Sequence, residues 1–94
     1  MIIVDKVDCV DCIAIYDSGN YAYRMSRFFE QQGLYFEVIS TPCKISMSGC
    51  GYCLLFPIEY LNAVVSQSQA CGCQVREAYK IEERGGKKIY TRIF

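Results

Sequence analysis

Hydrophobic and polar positions at the start of the chain predict a short strand followed by an amphipathic helix. An apolar run bounded by two aspartates, at residues 11–17, predicts the strand. Ser18 is a suitable N-cap for the helix, and Gly33 is a natural residue for its C-terminal stop. The apolar residues between them recur at helical spacing: Tyr21, Ala22, Met25, Phe28 and Phe29. The other face is mostly polar: Arg24, Arg27, Glu30 and Gln31.

The middle of the chain predicts two strands separated by a polar loop. Residues 35–41 are rich in β-branched and aromatic side chains, and Pro42 ends that run. Residues 43–49 are mostly polar, and residues 52–56 form an apolar run of the kind found in central strands.

The last third predicts a helix and a hairpin. Pro57 suits the first position of a helix, whose apolar side holds Ile58, Leu61, Val64 and Val65. The Cys-Gly-Cys sequence at residues 71–73 ends this helix, and residues 74–81 predict a fourth strand. Gly85 and Gly86 would turn the chain into a fifth strand at residues 88–94.

This order predicts one α+β domain over residues 1–94, a ferredoxin-like βαββαβ split sandwich with an added C-terminal strand. The hairpin extension occupies residues 80–94. Right-handed crossovers would place the third strand beside the first. The start of the first helix, the β2–β3 loop and the end of the second helix would then share one end of the sheet. We therefore expect Cys50 near Asp17 and Ser18, with three more cysteines at that end: Cys43, Cys71 and Cys73.

Composition excludes several classes of function. Hydrophobic residues make up 52% of the chain, which is enough for a packed core without disulfides. Ten basic residues balance ten acidic ones, so the broad positive field that nucleic acid or an anionic membrane requires is absent. No uncharged stretch is long and apolar enough to span a bilayer. Residues 1–4 lack the basic leader of a signal peptide, so we expect a cytoplasmic protein with reduced thiols.

Seven cysteines and no histidine point to thiol chemistry. An odd number of cysteines cannot all pair within one chain. Without histidine there is no imidazole base and no Cys–His nucleophile pair. A transition-metal site would depend on thiolates, with help from carboxylates.

Cys50 is the leading candidate because Gly49 and Gly51 flank it. Glycine neighbours leave room for an electrophile and allow backbone N–H groups to face an anionic sulfur. The nearby helix N-terminus and Lys44 would favour its thiolate form. The same glycines would also suit a plain bulge or turn.

Two other cysteines are expected to pack as small hydrophobes. Cys12 and Cys53 each complete a Cys-x-x-Cys pair, with Cys9 and Cys50 respectively. Both lie within predicted strands, where odd spacing sends side chains to opposite faces. Such pairs are poor candidates for a redox or metal motif.

Cys71 and Cys73 leave three alternatives open. They could, like Cys43, resolve an oxidised or persulfidated Cys50 or relay its sulfur, or they could serve only to end the helix. They could also complete a four-thiolate zinc or iron–sulfur site with Cys43 and Cys50, although that spacing matches no standard pattern.

The segment that contains Cys50 resembles a known small family. It combines Thr41-Pro42, serines at 46 and 48, Cys50-Gly51 and the apolar residues 54–56. Together these features are similar to the selenium/sulfur carrier-like proteins. The resemblance covers about residues 11–79 and is most specific at the Cys-Gly pair. Where members often carry Arg after Thr-Pro, this chain has Cys43 and then Lys44.

The resemblance implies an accessory carrier rather than a turnover enzyme, and it implies no resident cofactor. Cys50 would accept a sulfane atom from a donor of the cysteine desulfurase or selenocysteine lyase type and pass it to an acceptor protein. Ser46, Ser48 and the loop amides would stabilise the terminal anion, and Lys44 would add positive charge.

Two other function classes remain open. One is a thiolate metal-binding module that holds zinc or an iron–sulfur cluster. The other is a non-catalytic regulatory or interaction domain, a common use of ferredoxin-like folds. Its partner would bind the sheet, and an exposed sheet edge would also permit a homodimer.

Overall fold

The strands and helices follow one another along the chain in the predicted order. The structure, a computed structural model, describes residues 10–42, 44–45 and 51–94. Its elements are β1 (Asp11–Tyr16), α1 (Gly19–Glu30), β2 (Glu37–Ser40), β3 (Tyr52–Pro57), α2 (Leu61–Ala70), β4 (Val75–Arg84) and β5 (Lys87–Arg92). A 3₁₀ turn, Ile58–Tyr60, lies between β3 and α2.

The strands form one antiparallel sheet in the order β2-β3-β1-β4-β5. β3 lies beside β1, as predicted, and Ile15 is opposite Cys53. β4 pairs with the other edge of β1, so β1 is the central strand. The protein is thus a small mixed α/β domain with a five-stranded sheet and two helices.

The predicted ends of α1 are confirmed. The backbone of Ser18 is extended, and its Oγ accepts a hydrogen bond from the Asn20 N–H at 3.1 Å. At the other end, the Leu34 N–H donates to the Phe29 carbonyl and the Gly33 N–H donates to the Glu30 carbonyl. Gly33 has a φ of +85°, as this Schellman arrangement requires.

Several element boundaries differ from the sequence prediction, among them the end of β4, at Arg84 rather than residue 81, and the end of β5, at Arg92 rather than residue 94. Pro57 ends β3 instead of opening a helix, and α2 begins only after the 3₁₀ turn. That turn is anchored by the Ile58 N–H, which donates to the Val10 carbonyl at 3.0 Å. β2 begins at Glu37 rather than residue 35, and the carbonyl of Phe36 accepts a hydrogen bond from Ser26 Oγ instead.

The sheet contributes to two hydrophobic clusters because alternate strand residues point to opposite faces. The cluster under the helices contains Cys12, Ala14, Tyr16, Ala22, Met25, Phe29, Leu54, Phe56, Val64, Cys73, Val75 and Ala78. The second cluster contains the buried residues Ile13, Ile15 and Cys53, with partly buried neighbours that include Ile39, Ile45 and Tyr90. Within the described residues, no helix has both the length and the apolar character needed to cross a membrane.

Candidate functional site

The loop that carries Cys50 is closed at its base by a hydrogen bond between its two ends. The Thr41 N–H donates to the Gly51 carbonyl at 2.8 Å, which continues the ladder in which Ser40 faces Tyr52. Among the described residues, a Cβ added at Gly51 would meet Thr41 Oγ1 at an ordinary contact distance of 3.8 Å. Crowding by this part of the chain therefore does not require glycine at position 51.

The first turn of α1 lies against the strand that follows this loop. A Cβ added at Gly19 would stand 3.2 Å from Cδ2 of Tyr52, and the rings of Tyr23 and Tyr52 are 5.8 Å apart. The positive end of the α1 macrodipole is therefore next to Tyr52, two positions after Cys50. The start of α1 and the start of β3 share one end of the sheet, as predicted.

Several predicted site residues lie outside the described residues. They are Cys43, Ser46, Ser48, Gly49 and Cys50, and their roles stay predictions. Lys44 is described: it is exposed in a turn where the Ile45 N–H donates to the Pro42 carbonyl at 3.1 Å. Ile45 packs against the second hydrophobic cluster. The ammonium group of Lys44 thus stands in solvent on the β2–β3 loop.

The interpretation of Cys12 and Cys53 as packed hydrophobes is confirmed. Both side chains are fully buried, in opposite hydrophobic clusters. Burial raises the pKa of Cys12 to about 12. Burial also raises the pKa of Cys53, and a hydrogen bond with the Thr41 side chain partly offsets that effect. Neither thiol is set up to act as a nucleophile at neutral pH. Cys9, the other member of the first Cys-x-x-Cys pair, lies outside the described residues.

The raised pKa values predict a loss of stability at alkaline pH. Burial takes the pKa of Cys12 from 9.0 to about 12 and is the main reason that the pKa of Tyr16 moves from 10.0 to about 12. Between about pH 9 and 12 the folded state holds protons that the unfolded chain releases, so the free energy of unfolding should fall as pH rises. Urea denaturation from pH 7 to 11 measures this. In Cys12→Ala, the free energy of unfolding should fall less steeply with pH above pH 9. An unchanged steepness would contradict the contribution of the raised Cys12 pKa.

The Cys-Gly-Cys sequence forms the C-terminal cap of α2. The Cys73 N–H donates to the Ser68 carbonyl at 2.8 Å, and the Gly72 N–H donates to the Gln69 carbonyl at 3.1 Å. Gly72 has a φ of +77°, so it supplies the left-handed residue of a Schellman motif. Cys71 is half-buried, whereas Cys73 is fully buried. The helix-ending role that the sequence left open is thus present, and it leaves the two thiols in different environments.

Polar side chains that the sequence did not single out surround Cys73. Nη1 of Arg24 lies 3.7 Å from Cys73 Sγ, in hydrogen-bonding geometry. Nearby, the hydroxyl of Tyr16 and the Oγ of buried Ser68 are 2.8 Å apart. Both Cys71 and Cys73 are close enough to Tyr16 to help raise its pKa. The sequence pattern places Arg24 on the polar face of α1. No local pattern predicts a contact between Arg24 and Cys73, which are 49 positions apart.

The four-thiolate metal site cannot be assembled from the described residues alone. Cys71 and Cys73 are described, but Cys43 and Cys50 are not. Across residues 10–42, 44–45 and 51–94, no group of three or more Cys, Asp or Glu side chains is arranged to hold a metal ion.

A depression lies on the sheet face away from the helices. This depression has a volume of about 410 Å³, and its walls include Ile39, Leu55, Ile81 and Tyr90. Glu82, Glu83 and Lys88 add charge at one side. Of the predicted site residues that the structure describes, none lines it.

Comparison with known proteins gives one match. Residues 11–80, about three quarters of the chain, match the family model described as "Putative Se/S carrier protein-like". No curated protein and no solved structure matches the chain.

Proposed function

Since the chain belongs to the Se/S carrier protein-like family, we propose that it carries sulfur or selenium as a persulfide or selenopersulfide on Cys50. The observation that carries this proposal is the packing of the first turn of α1 against Tyr52. It brings the positive end of a helix dipole to the base of the loop that holds Cys50. A persulfide is anionic near neutral pH and is stabilised by such a field.

The base of the loop supplies two further supporting features. Lys44 is exposed on that loop and can add positive charge to an anionic cargo. The hydrogen bond between Thr41 and Gly51 holds the two ends of the loop together. Ser46, Ser48 and the amides beside Gly49 would donate hydrogen bonds to the terminal sulfur or selenium. Gly51 has no side chain, so it would leave space next to the carrier thiol.

We propose a ferredoxin-like arrangement for the domain, extended by β5. The support is the β2-β3-β1-β4 order of the first four strands, with α1 and α2 as the two crossover connections. In this arrangement the carrier loop, the start of α1 and the end of α2 share one end of the sheet.

The proposed partners follow from the cargo. The donor would be a cysteine desulfurase or selenocysteine lyase type of enzyme, and the acceptor would be a second protein that takes the sulfane atom. The chain would act as an accessory carrier rather than a turnover enzyme. A cytoplasmic location suits this chemistry, because the carrier thiol must be reduced before loading.

Intact-mass spectrometry tests the proposal. Protein is purified without oxygen, and native and denatured spectra are taken before and after incubation with a cysteine desulfurase and cysteine. We expect a reducible gain of one sulfur atom per chain. Metal present in the native spectrum and lost on denaturation would instead support a zinc or iron–sulfur module.

The absence of both a sulfur gain and metal would favour an interaction domain. The depression on the second sheet face, with its apolar wall and charged side, is the observation that favours that alternative.

A further inference from the structure

The two thiols at the end of α2 have no role in loading Cys50, yet they lie close together in the part of the chain that the structure describes. Cys71 is half-buried, Cys73 is buried, and a guanidinium contacts the buried sulfur. We propose that Cys71 and Cys73 form a dithiol that releases the carried atom as sulfide or selenide while closing to a disulfide. The inference rests on the proposed function for the source of the cargo.

Chain geometry keeps the two cysteines within reach of each other. Only Gly72 separates them, so their Cα atoms are at most about 7 Å apart, and a left-handed turn shortens that span. Disulfides join Cα atoms about 4.4–6.8 Å apart. The Sγ of Cys73 also lies 3.8 Å from the carbonyl oxygen of Cys71, so the buried sulfur already faces the residue that it would attack.

The contact with Arg24 distinguishes Cys73 from a cysteine that only packs in the core. Nη1 of Arg24 donates towards the Cys73 sulfur at 3.7 Å, and a donor with positive charge stabilises negative charge on that atom. The guanidinium also lies 5.9 Å from the ring centroid of Tyr21, in a cation–π contact that holds the side chain in place. Cys12 and Cys53, the other fully buried thiols of the described residues, make no such contact with a cation.

The proposed reaction has two balanced steps. In the first, the Cys71 thiolate attacks the terminal sulfur of a persulfide, R–S–SH; the S–S bond breaks, R–S⁻ leaves, and Cys71 becomes Cys–S–SH. In the second, the Cys73 thiolate attacks Sγ of Cys71 and HS⁻ leaves. The sulfane atom is reduced to sulfide, and the two thiols are oxidised to one disulfide. No other oxidant is needed, and a thiol reductant would restore the dithiol.

The difference in burial assigns the two roles. Cys71 is the thiol that solvent and a donor can reach, so it takes the sulfane atom. Cys73 is shielded, so it meets only the adduct on its neighbour. Tyr16 and Ser68 line the same region but are hydrogen-bonded to each other, which leaves the thiol pair as its reactive part.

The release step can be measured separately from the carrier step. Reduced Cys50→Ser protein, freed of reductant, is mixed with one equivalent of glutathione persulfide without oxygen, and sulfide is trapped with a bimane reagent. We expect about one sulfide per chain above the protein-free control, together with a Cys71–Cys73 disulfide seen as a loss of two hydrogens. Cys73→Ala in the same background should reduce release by tenfold or more and leave a persulfide trapped on Cys71.

Arg24 is tested as a positioning residue. Arg24→Gln should slow release by about tenfold, and Arg24→Lys should restore most of the rate because it keeps the charge. A purely structural role would not be rescued in this way. The inference is overturned if the Cys50→Ser protein, in which Cys71 and Cys73 are intact, yields no sulfide and no disulfide. It is also overturned if adding Cys73→Ala or Cys71→Ser to that protein leaves the rate of sulfide release unchanged in both cases. Loading of Cys50 in the wild-type chain is scored independently, so failure of the carrier role would be seen separately.

Discussion

Cys50→Ser protein incubated with a cysteine desulfurase and cysteine is expected to gain no lasting sulfur, whereas the wild-type chain gains one atom. A serine hydroxyl cannot form a persulfide, and the buried thiols of Cys12 and Cys53 are shielded from the donor. The fold should be unaffected, because serine is close to cysteine in size and position 50 lies between two glycines in the sequence. Intact mass and thermal unfolding, measured on the same samples, check both statements.

Cys71→Ser is the matched control for that experiment. It removes the half-buried thiol at the end of α2, but it leaves Cys50 in place. We expect this variant to load one sulfur and to keep it longer than the wild-type chain, because the proposed release step is blocked. If Cys50→Ser loads sulfur normally and Cys71→Ser does not, the carrier thiol is Cys71 rather than Cys50.

Phe56→Ala is expected to produce the largest loss of stability. Phe56 is 2% exposed on β3, between the sheet and the helices, and its ring is 5.7 Å from that of Phe36. Truncating a buried phenylalanine to alanine lowers the free energy of unfolding by about 3–5 kcal/mol. A small domain has about 5–15 kcal/mol in total, so this variant should unfold at much lower urea concentration.

Tyr35→Ala provides the comparison for the core truncation. Its side chain is 77% exposed, so the midpoint of urea denaturation should change by an amount equivalent to about 0.5 kcal/mol or less. Similar losses in the two variants would mean that Phe56 does not anchor the core as the structure indicates.

Local patterns were sufficient to predict the order of the elements and both ends of α1. Ser18 and Gly33 act through hydrogen bonds and backbone conformation within a few residues, so their roles could be predicted from the sequence. The position of β3 beside β1 followed from the handedness of crossovers. The burial of Cys12 and Cys53 followed from their position within apolar strands.

The features that the sequence could not predict depend on residues far apart in the chain. The start of α2 depends on a hydrogen bond from Ile58 to Val10. The contact of Arg24 with Cys73 joins two elements through a side chain whose sequence pattern places it on a solvent-facing surface. For Cys71 and Cys73, the end of α2 could be predicted from the local sequence. Their different degrees of burial could not, because they come from tertiary packing.

Locating the sulfur atom on the loaded wild-type chain tests the central claim most directly. After loading without oxygen and alkylation, cleavage after Lys44 and Tyr52 yields residues 45–52, a peptide in which Cys50 is the only cysteine. We expect the alkylated persulfide on that peptide at early times, before any adduct reaches the peptide with Cys71 and Cys73. An adduct that first forms on any other cysteine, with residues 45–52 unmodified, would contradict the carrier role of Cys50.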